Sequence, residues 1–291
     1  MDQIATFSKV IAGTMTWGNW GMKFSEKETL GLMAYVLELG VTTFDHADIY
    51  GGYTNEADFG KAFKKSGISR NSLQLISKCG IQLVCDARNN QLQHYDYSKY
   101  YIIKSVEQSL RNLKTDFLDM LLLHRPSPLL QPEIVAEAVI QLQQEGKIRV
   151  FGVSNFSPSQ IALLETVIPV VSNQIEFSLT AHDAMYNGTL DDCMAKNRMA
   201  MSWSPLGAFF KKDDAQAVRI RKVLEPLLEK YEASADQLLL AWVLMHPSRI
   251  YPVIGTTKKE RLKASVDALK INLELEDWFI LLKASQGHEV P

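Results

Sequence analysis

The chain has 291 residues, of which 46% are hydrophobic and 22% charged, with a formal net charge of −2. That balance can bury a full core, and the near-neutral charge leaves no long-range field to draw nucleic acid or an anionic membrane surface. Three cysteines, Cys79, Cys85 and Cys193, form no CxxC pair, which argues against a disulfide framework or a structural zinc site. No metal is expected, and the expected partner is a small molecule. The start, Met1-Asp2-Gln3-Ile4-Ala5-Thr6, lacks the basic and apolar regions of a signal peptide. No stretch approaches the ~18 apolar residues that span a bilayer, so a cytoplasmic location is expected.

Helix and strand patterns then alternate along the chain. A strand is expected at Lys9–Ala12, followed by a helix with Leu30, Met33, Ala34 and Leu37 on one face. A Ser25…Glu28 capping box opens that helix and Gly40 follows it. Further strands are expected at Val41–Phe44, Leu73–Ser77, Met120–Leu123, Val150–Val153, Val170–Asn173, Met199–Trp203 and Tyr251–Ile254. Between them lie apolar stripes at Ile102, Val106, Leu110 and Leu113, and at Val135, Val139 and Leu142, the latter closed by Gly146. Ser157-Pro158 opens a short helix with a proline in its first position. A second capping box, Ser234…Gln237, precedes Leu238, Ala241, Trp242 and Met245. Over 215–231 a helix is expected to break or kink at Pro226. Eight β–α units without a Pro/Gly/Ser-rich linker fit a (β/α)8 TIM barrel, a single domain over 1–291. An open doubly wound sheet usually carries GxGxxG after its first strand, and Gly13-Thr14-Met15 does not match it.

In such a barrel the working groups lie at the C-terminal ends of strands. Asp45 follows the second apolar run, with Tyr50 in the next loop; Lys78 follows the third run and His124 the fourth. A phenol beside an ammonium and a carboxylate is a device for proton transfer. The Lys78 ammonium should lower the phenol's pKa, Asp45 should hold the ammonium, and a neutral His124 should bond a substrate oxygen. Four polar residues on three successive strand ends outweigh the reading of Asp45 and Lys78 as a purely structural ion pair. A basic helix start after the eighth strand, Gly255-Thr256-Thr257-Lys258-Lys259-Glu260-Arg261, suits a phosphate. His46 and Asp48 are expected to shape the second loop, and Trp17 and Trp20 either wall a pocket or pack in the core.

The segments Phe44-Asp45-His46-Ala47-Asp48-Ile49-Tyr50-Gly51, Ile76-Ser77-Lys78-Cys79-Gly80, Leu121-Leu122-Leu123-His124-Arg125-Pro126 and Gly152-Val153-Ser154-Asn155-Phe156 resemble the aldo-keto reductase superfamily. His94-Tyr95-Asp96-Tyr97 and the closing Val290-Pro291 look like its bacterial YdhF-type branch. The resemblance implies reduction of aldehydes or ketones by hydride from a reduced nicotinamide. It makes Tyr50 the general acid/base, tuned by Lys78 and Asp45, with His124 orienting the carbonyl. Cofactor contacts carried over are Ser154, Asn155 and Gln174 on the carboxamide and Trp203, in place of the usual tyrosine, on the ring. Ser204, Leu206 and Gly207 lie over the pyrophosphate, and Arg261, helped by Lys258, meets the 2′-phosphate. Gly13, Thr14, Met15, Asp45, Gly255, Thr256, Thr257 and Ser265 complete the set. A basic loop with no obvious ribose-binding carboxylate favours NADP(H) over NAD. A lyase with a Schiff base on Lys78 and a cofactor-bound regulatory subunit are the rival readings; a monomer is compatible with all three.

Overall fold

The computed structural model describes residues 7–289, so the opening Met1-to-Thr6 segment and the closing Val290-Pro291 lie outside the described residues. Eight strands form a closed barrel: β1 (Ile11–Gly13), β2 (Thr43–Asp45), β3 (Gln74–Cys79), β4 (Leu118–Leu123), β5 (Ile148–Ser154), β6 (Ser172–Glu176), β7 (Met199–Trp203) and β8 (Tyr251–Ile254). Each strand pairs in parallel with its chain neighbours, and β1 pairs with β8 to close the ring. The helices are α1 (Glu26–Glu38), α2 (Asn55–Ser66), α3 (Lys99–Leu113), α4 (Pro132–Gln144), α5 (Pro158–Glu165), α6 (Thr189–Ala195), α7 (Ala215–Lys230), α8 (Ala235–Leu244), α9 (Lys259–Asp267) and α10 (Leu275–Gln286). A small antiparallel hairpin, Ile81–Gln82 with His94–Tyr95, stands apart from the barrel.

Because strand side chains alternate, each barrel strand serves two cores. Ile11, Ile76, Met120, Leu122, Val150, Met199, Met201 and Val253 form one buried cluster. Their intervening neighbours, such as Phe44, Leu75, Leu121, Leu123, Phe151 and Val153, join the larger cluster with the helices. The first set is the plug inside the barrel, as the layered packing of such barrels requires.

The expected elements differ from the observed ones in two instructive places. In α1 the buried face is Thr29, Leu32, Met33 and Val36, and Ala34 is exposed. Apolar residues line more than one side of this helix, so periodicity alone picked a stripe one position off. In α7 the helix runs through Pro226 without ending. Pro226 and Lys222, whose carbonyl loses a partner, both face solvent, while Ala217, Ile220, Leu224 and Leu227 hold the other side in the core. Tyr50 lies in the loop after β2, as expected, at the head of a tight turn whose Gly51, Gly52 and Tyr53 hold left-handed backbone, φ 65°, 70° and 72°.

Candidate active site

Side-chain parity places the polar groups. Ile76 lies in the plug, so Lys78, two residues on, points the same way; Leu122 sets His124 and Met201 sets Trp203 by the same count. In β2 and β6 the outward residues are Phe44 and Ile175, which turns Asp45 and Gln174 inward. One layer above the apolar plug, the barrel is therefore polar.

Lys78 is the centre of that layer and is almost fully buried. Its ammonium donates to Asp45 Oδ2 at 2.7 Å, to the His46 carbonyl at 2.8 Å and to Tyr50 Oη at 3.1 Å. An ammonium has three donors, so these contacts use all of them. Burial works against its charge, but the carboxylate of Asp45, then Tyr50, outweighs it and the pKa rises above its ordinary value. A lysine held protonated in this way is no nucleophile, which speaks against the Schiff-base rival.

Tyr50 is buried beside it, its ring 6.0 Å from the His124 ring at an interplanar angle of 79°. The expected lowering of the phenol's pKa is overturned: burial raises it, and the opposing pull of Lys78, though the largest, does not compensate. Tyr50 thus carries its proton. Burial, with Lys78 and Arg125 adding to it, also holds His124 well below its ordinary pKa, so its imidazole is neutral. His124 Nδ1 is buried without a partner. An orphaned N–H is costlier than an orphaned lone pair, which assigns the proton to Nε2 and makes that atom the donor.

Two contacts were not readable in the sequence. Gln174 donates from Nε2 to Asp45 Oδ1 at 2.9 Å, so both carboxylate oxygens of Asp45 are occupied. The Thr14 hydroxyl donates to the Asp45 carbonyl at 2.9 Å and meets His46 Nδ1 at 2.9 Å. Since Thr14 has one proton to give, His46 must supply the second, as its Nδ1–H tautomer. Burial, then Lys78, pushes the His46 pKa down to about 3. This network fixes the backbone carbonyl that completes the Lys78 tripod. The hydroxyl of Thr14 is committed to it, its N–H donates to the same Asp45 carbonyl at 3.1 Å, and its carbonyl accepts from Asn55 Nδ2 at 3.0 Å.

The residues expected on a nicotinamide form a second, contiguous group. Ser154 Oγ donates to the Gln174 carbonyl at 3.0 Å, Asn155 Nδ2 to Ser154 Oγ at 2.7 Å, and Trp203 Nε1 to Asn155 Oδ1 at 2.9 Å. Asn155 and Ser204 both hold left-handed backbone, φ 62° and φ 48°; for serine this is strain that the surrounding fold must enforce. Gly207, φ 56°, N–H to the Ser204 carbonyl at 2.7 Å, closes the following turn. A Cβ there would fall 1.9 Å from Thr180 Oγ1, so only glycine fits. At the end of β8, the Gly255 carbonyl accepts from Thr16 Oγ1 at 2.9 Å, tying the first and last loops together. No side chain caps α9, and Lys258 and Arg261 are exposed at its start. Ser265 is buried and its hydroxyl turns back to the Arg261 carbonyl at 2.8 Å, so it serves its own helix. Met15 is half-exposed.

The tryptophans part ways: Trp17 packs in the core, edge-on to Phe44, whereas Trp20 is 46% exposed with its ring 6.1 Å from that of Tyr50. The hairpin after β3 is anchored through Tyr53, which donates to the Ile81 carbonyl at 3.3 Å and accepts from the Leu83 N–H at 3.1 Å.

The aldo/keto reductase family profile matches residues 9–285. The chain is 44% identical to the uncharacterised oxidoreductase YcsN of Bacillus subtilis (strain 168), over 98% of this chain and 96% of that one. It is 41% identical to oxidoreductase YdhF of Escherichia coli (strain K12), again over 98% and 96%. Its fold superposes with a TM-score of 0.80 on a thermostable aldo-keto reductase solved with the inhibitor epalrestat, at 25% identity over 96% of this chain and 95% of that one. These matches agree with the closed barrel, and the chain belongs to the aldo/keto reductase family of oxidoreductases, enzymes that act on carbonyl compounds.

Proposed function

We propose that the chain, as a single domain, is an NADPH-dependent reductase of aldehydes or ketones, with Tyr50 as the proton donor. The observation that carries the reading is the Lys78 tripod, which joins Asp45, the His46 carbonyl and Tyr50 in one buried network. When bound, reduced nicotinamide supplies a hydride to the carbonyl carbon. The residues do the rest. Tyr50 gives its proton to the carbonyl oxygen, and the Lys78 ammonium stabilises the phenolate left behind. Asp45 neutralises the ammonium in both states, and the neutral His124 donates to the same oxygen and fixes its direction. Hydride and proton together turn C=O into CH–OH.

The donors present fit the cofactor. Ser154, Asn155 and Gln174 supply both N–H or O–H groups and oxygens, as a carboxamide needs, and the indole of Trp203 offers a stacking face. The uncapped N-terminus of α9 with Lys258 and Arg261 suits phosphate charge, which favours NADPH over NADH. On the same reading, Met15 and the loop Ser204, Leu206, Gly207 are proposed to hold the pyrophosphate between the two. We further propose a cytoplasmic location; among the described residues no helix is long and apolar enough to cross a membrane. Label transfer tests the chemistry. With NADPH deuterated at C4 and a panel of small aldehydes, the alcohol product is expected to carry deuterium on its carbinol carbon. Product formed without cofactor, or label drawn from solvent water, would overturn the reading.

A further inference from the structure

Arg125 holds a charge that the described residues do not neutralise. It follows His124 directly, and its half-buried guanidinium lies 5.5 Å from the centroid of the Trp203 ring. Its main chain is fixed: the N–H donates to Tyr97 Oη at 3.2 Å, and that hydroxyl donates back to the Arg125 carbonyl at 2.6 Å. Among the described residues, no carboxylate pairs with its guanidinium and no hydrogen bond anchors it. Of the other arginines that are not fully exposed, Arg88 lies over the Tyr53 ring in the hairpin region and Arg219 binds the carbonyls of Ala284 and Ser285, both away from the polar layer. The remaining two are paired. Arg70 pairs with Asp119, and Arg198 with both Glu165 and Asp192. The nearest anion in the polar layer, Asp45, is already shared between Lys78 and Gln174. The field of Arg125 nonetheless reaches the two groups that face a carbonyl oxygen, favouring the phenolate of Tyr50 and disfavouring protonation of His124.

A guanidinium removed from much of its water and left without a counterion is a poor structural element and a good receptor. Its planar fork matches a carboxylate with two parallel hydrogen bonds. We propose that Arg125 is the specificity-determining residue of the site and selects carbonyl substrates that also carry a carboxylate, the carbonyl oxygen lying on Tyr50 and His124 and the carboxylate on the guanidinium. The inference rests on the reading of Tyr50 and His124 as the carbonyl-oxygen site.

Two measurements on the full chain separate the two claims. In the first, benzoate and benzamide are titrated into the protein, with and without saturating NADP+, and followed by tryptophan fluorescence, to which Trp203 beside Arg125 contributes. Benzoate should bind about ten- to a hundred-fold more tightly, the usual range for a charged hydrogen-bonded pair. Arg125→Met should abolish the preference and Arg125→Lys should keep part of it. In the second, kcat/KM is compared for para-carboxybenzaldehyde and para-methylbenzaldehyde, and for succinate semialdehyde and butanal. The acid should be favoured by a similar factor, with the change on Arg125→Met falling mainly in KM. Equal binding of benzoate and benzamide by the wild type, or a preference that survives Arg125→Met, overturns the proposal. So does a loss of NADPH affinity in Arg125→Met with the benzoate preference intact, which would assign the guanidinium to the cofactor. If no aldehyde is turned over at all, the reductase reading fails, while the benzoate titration still decides the role of Arg125.

Discussion

At the scale of single residues, burial sets the charge state of each group in the site and a named neighbour then corrects it. Lys78 keeps its proton because Asp45 and Tyr50 together outweigh burial; Tyr50 keeps its proton because burial outweighs Lys78. Asp48 shows the same balance outside the proposed catalytic set. Its carboxyl is fully enclosed, with Oδ2 accepting from Ser105 Oγ at 2.9 Å and from Tyr101 Oη at 3.2 Å. Burial, with Glu56 adding to it, pushes its pKa up from 3.8 to about 7. The sign follows from linkage. A folded pKa above the unfolded one means that the folded state binds more protons, so the stability tied to neutral Asp48 is complete below pH 3.8 and is lost as pH rises towards about 7. Asp48→Asn cannot ionise. Its Tm relative to wild type should climb across that window and level off above it, by the equivalent of a few kcal/mol. Thermal melts at a series of pH values check this; a difference that shrinks with rising pH would contradict it.

At the scale of elements, the apolar runs located all eight strands, and two of them, β7 and β8, to the residue. Elsewhere the ladder extends past the apolar run into polar residues: β2 ends on Asp45, β5 on Ser154, and β6 carries Gln174 and Glu176. Strand pairing depends on the backbone, so hydrophobicity cannot mark where it stops. The capping boxes at Ser25, Ser157 and Ser234 all form, because a serine and a Glu or Gln three residues on satisfy each other locally. The proton-transfer set was legible for the same reason that the strands were: Asp45, Lys78 and His124 each terminate an apolar run. The bond from Gln174 to Asp45 spans 129 positions and the Thr14–His46 contact spans 32. Such bonds depend on register and rotamer, which no spacing encodes. The start of α9 carries its own expectation. Arg261→Ala should weaken NADPH binding by about ten- to a hundred-fold while leaving NADH nearly unchanged, since the lost guanidinium would face a phosphate that only NADPH carries. Titration of both cofactors measures it, and equal weakening would move Arg261 to the adenine or the pyrophosphate.

At the scale of the whole molecule, the barrel brings Asp45, Lys78 and Gln174 together from three different strands, with Tyr50 and His124 from the loops after β2 and β4. The plug of Ile76, Met120, Leu122 and Met201 beneath them keeps the layer dry, where each hydrogen bond and each charge counts for more than it would in water. The molecule thereby holds a protonated phenol against a permanent ammonium at 3.1 Å, and the account stands or falls on that phenol. The decisive measurement is single-turnover reduction of an aldehyde by Tyr50→Phe with NADPH already bound, alongside a cofactor titration. The account predicts NADPH affinity close to that of the wild type and a chemical step slower by about 10²–10⁴-fold, the range ascribed to a positioned general acid. A variant that keeps more than about a tenth of the wild-type rate would contradict it.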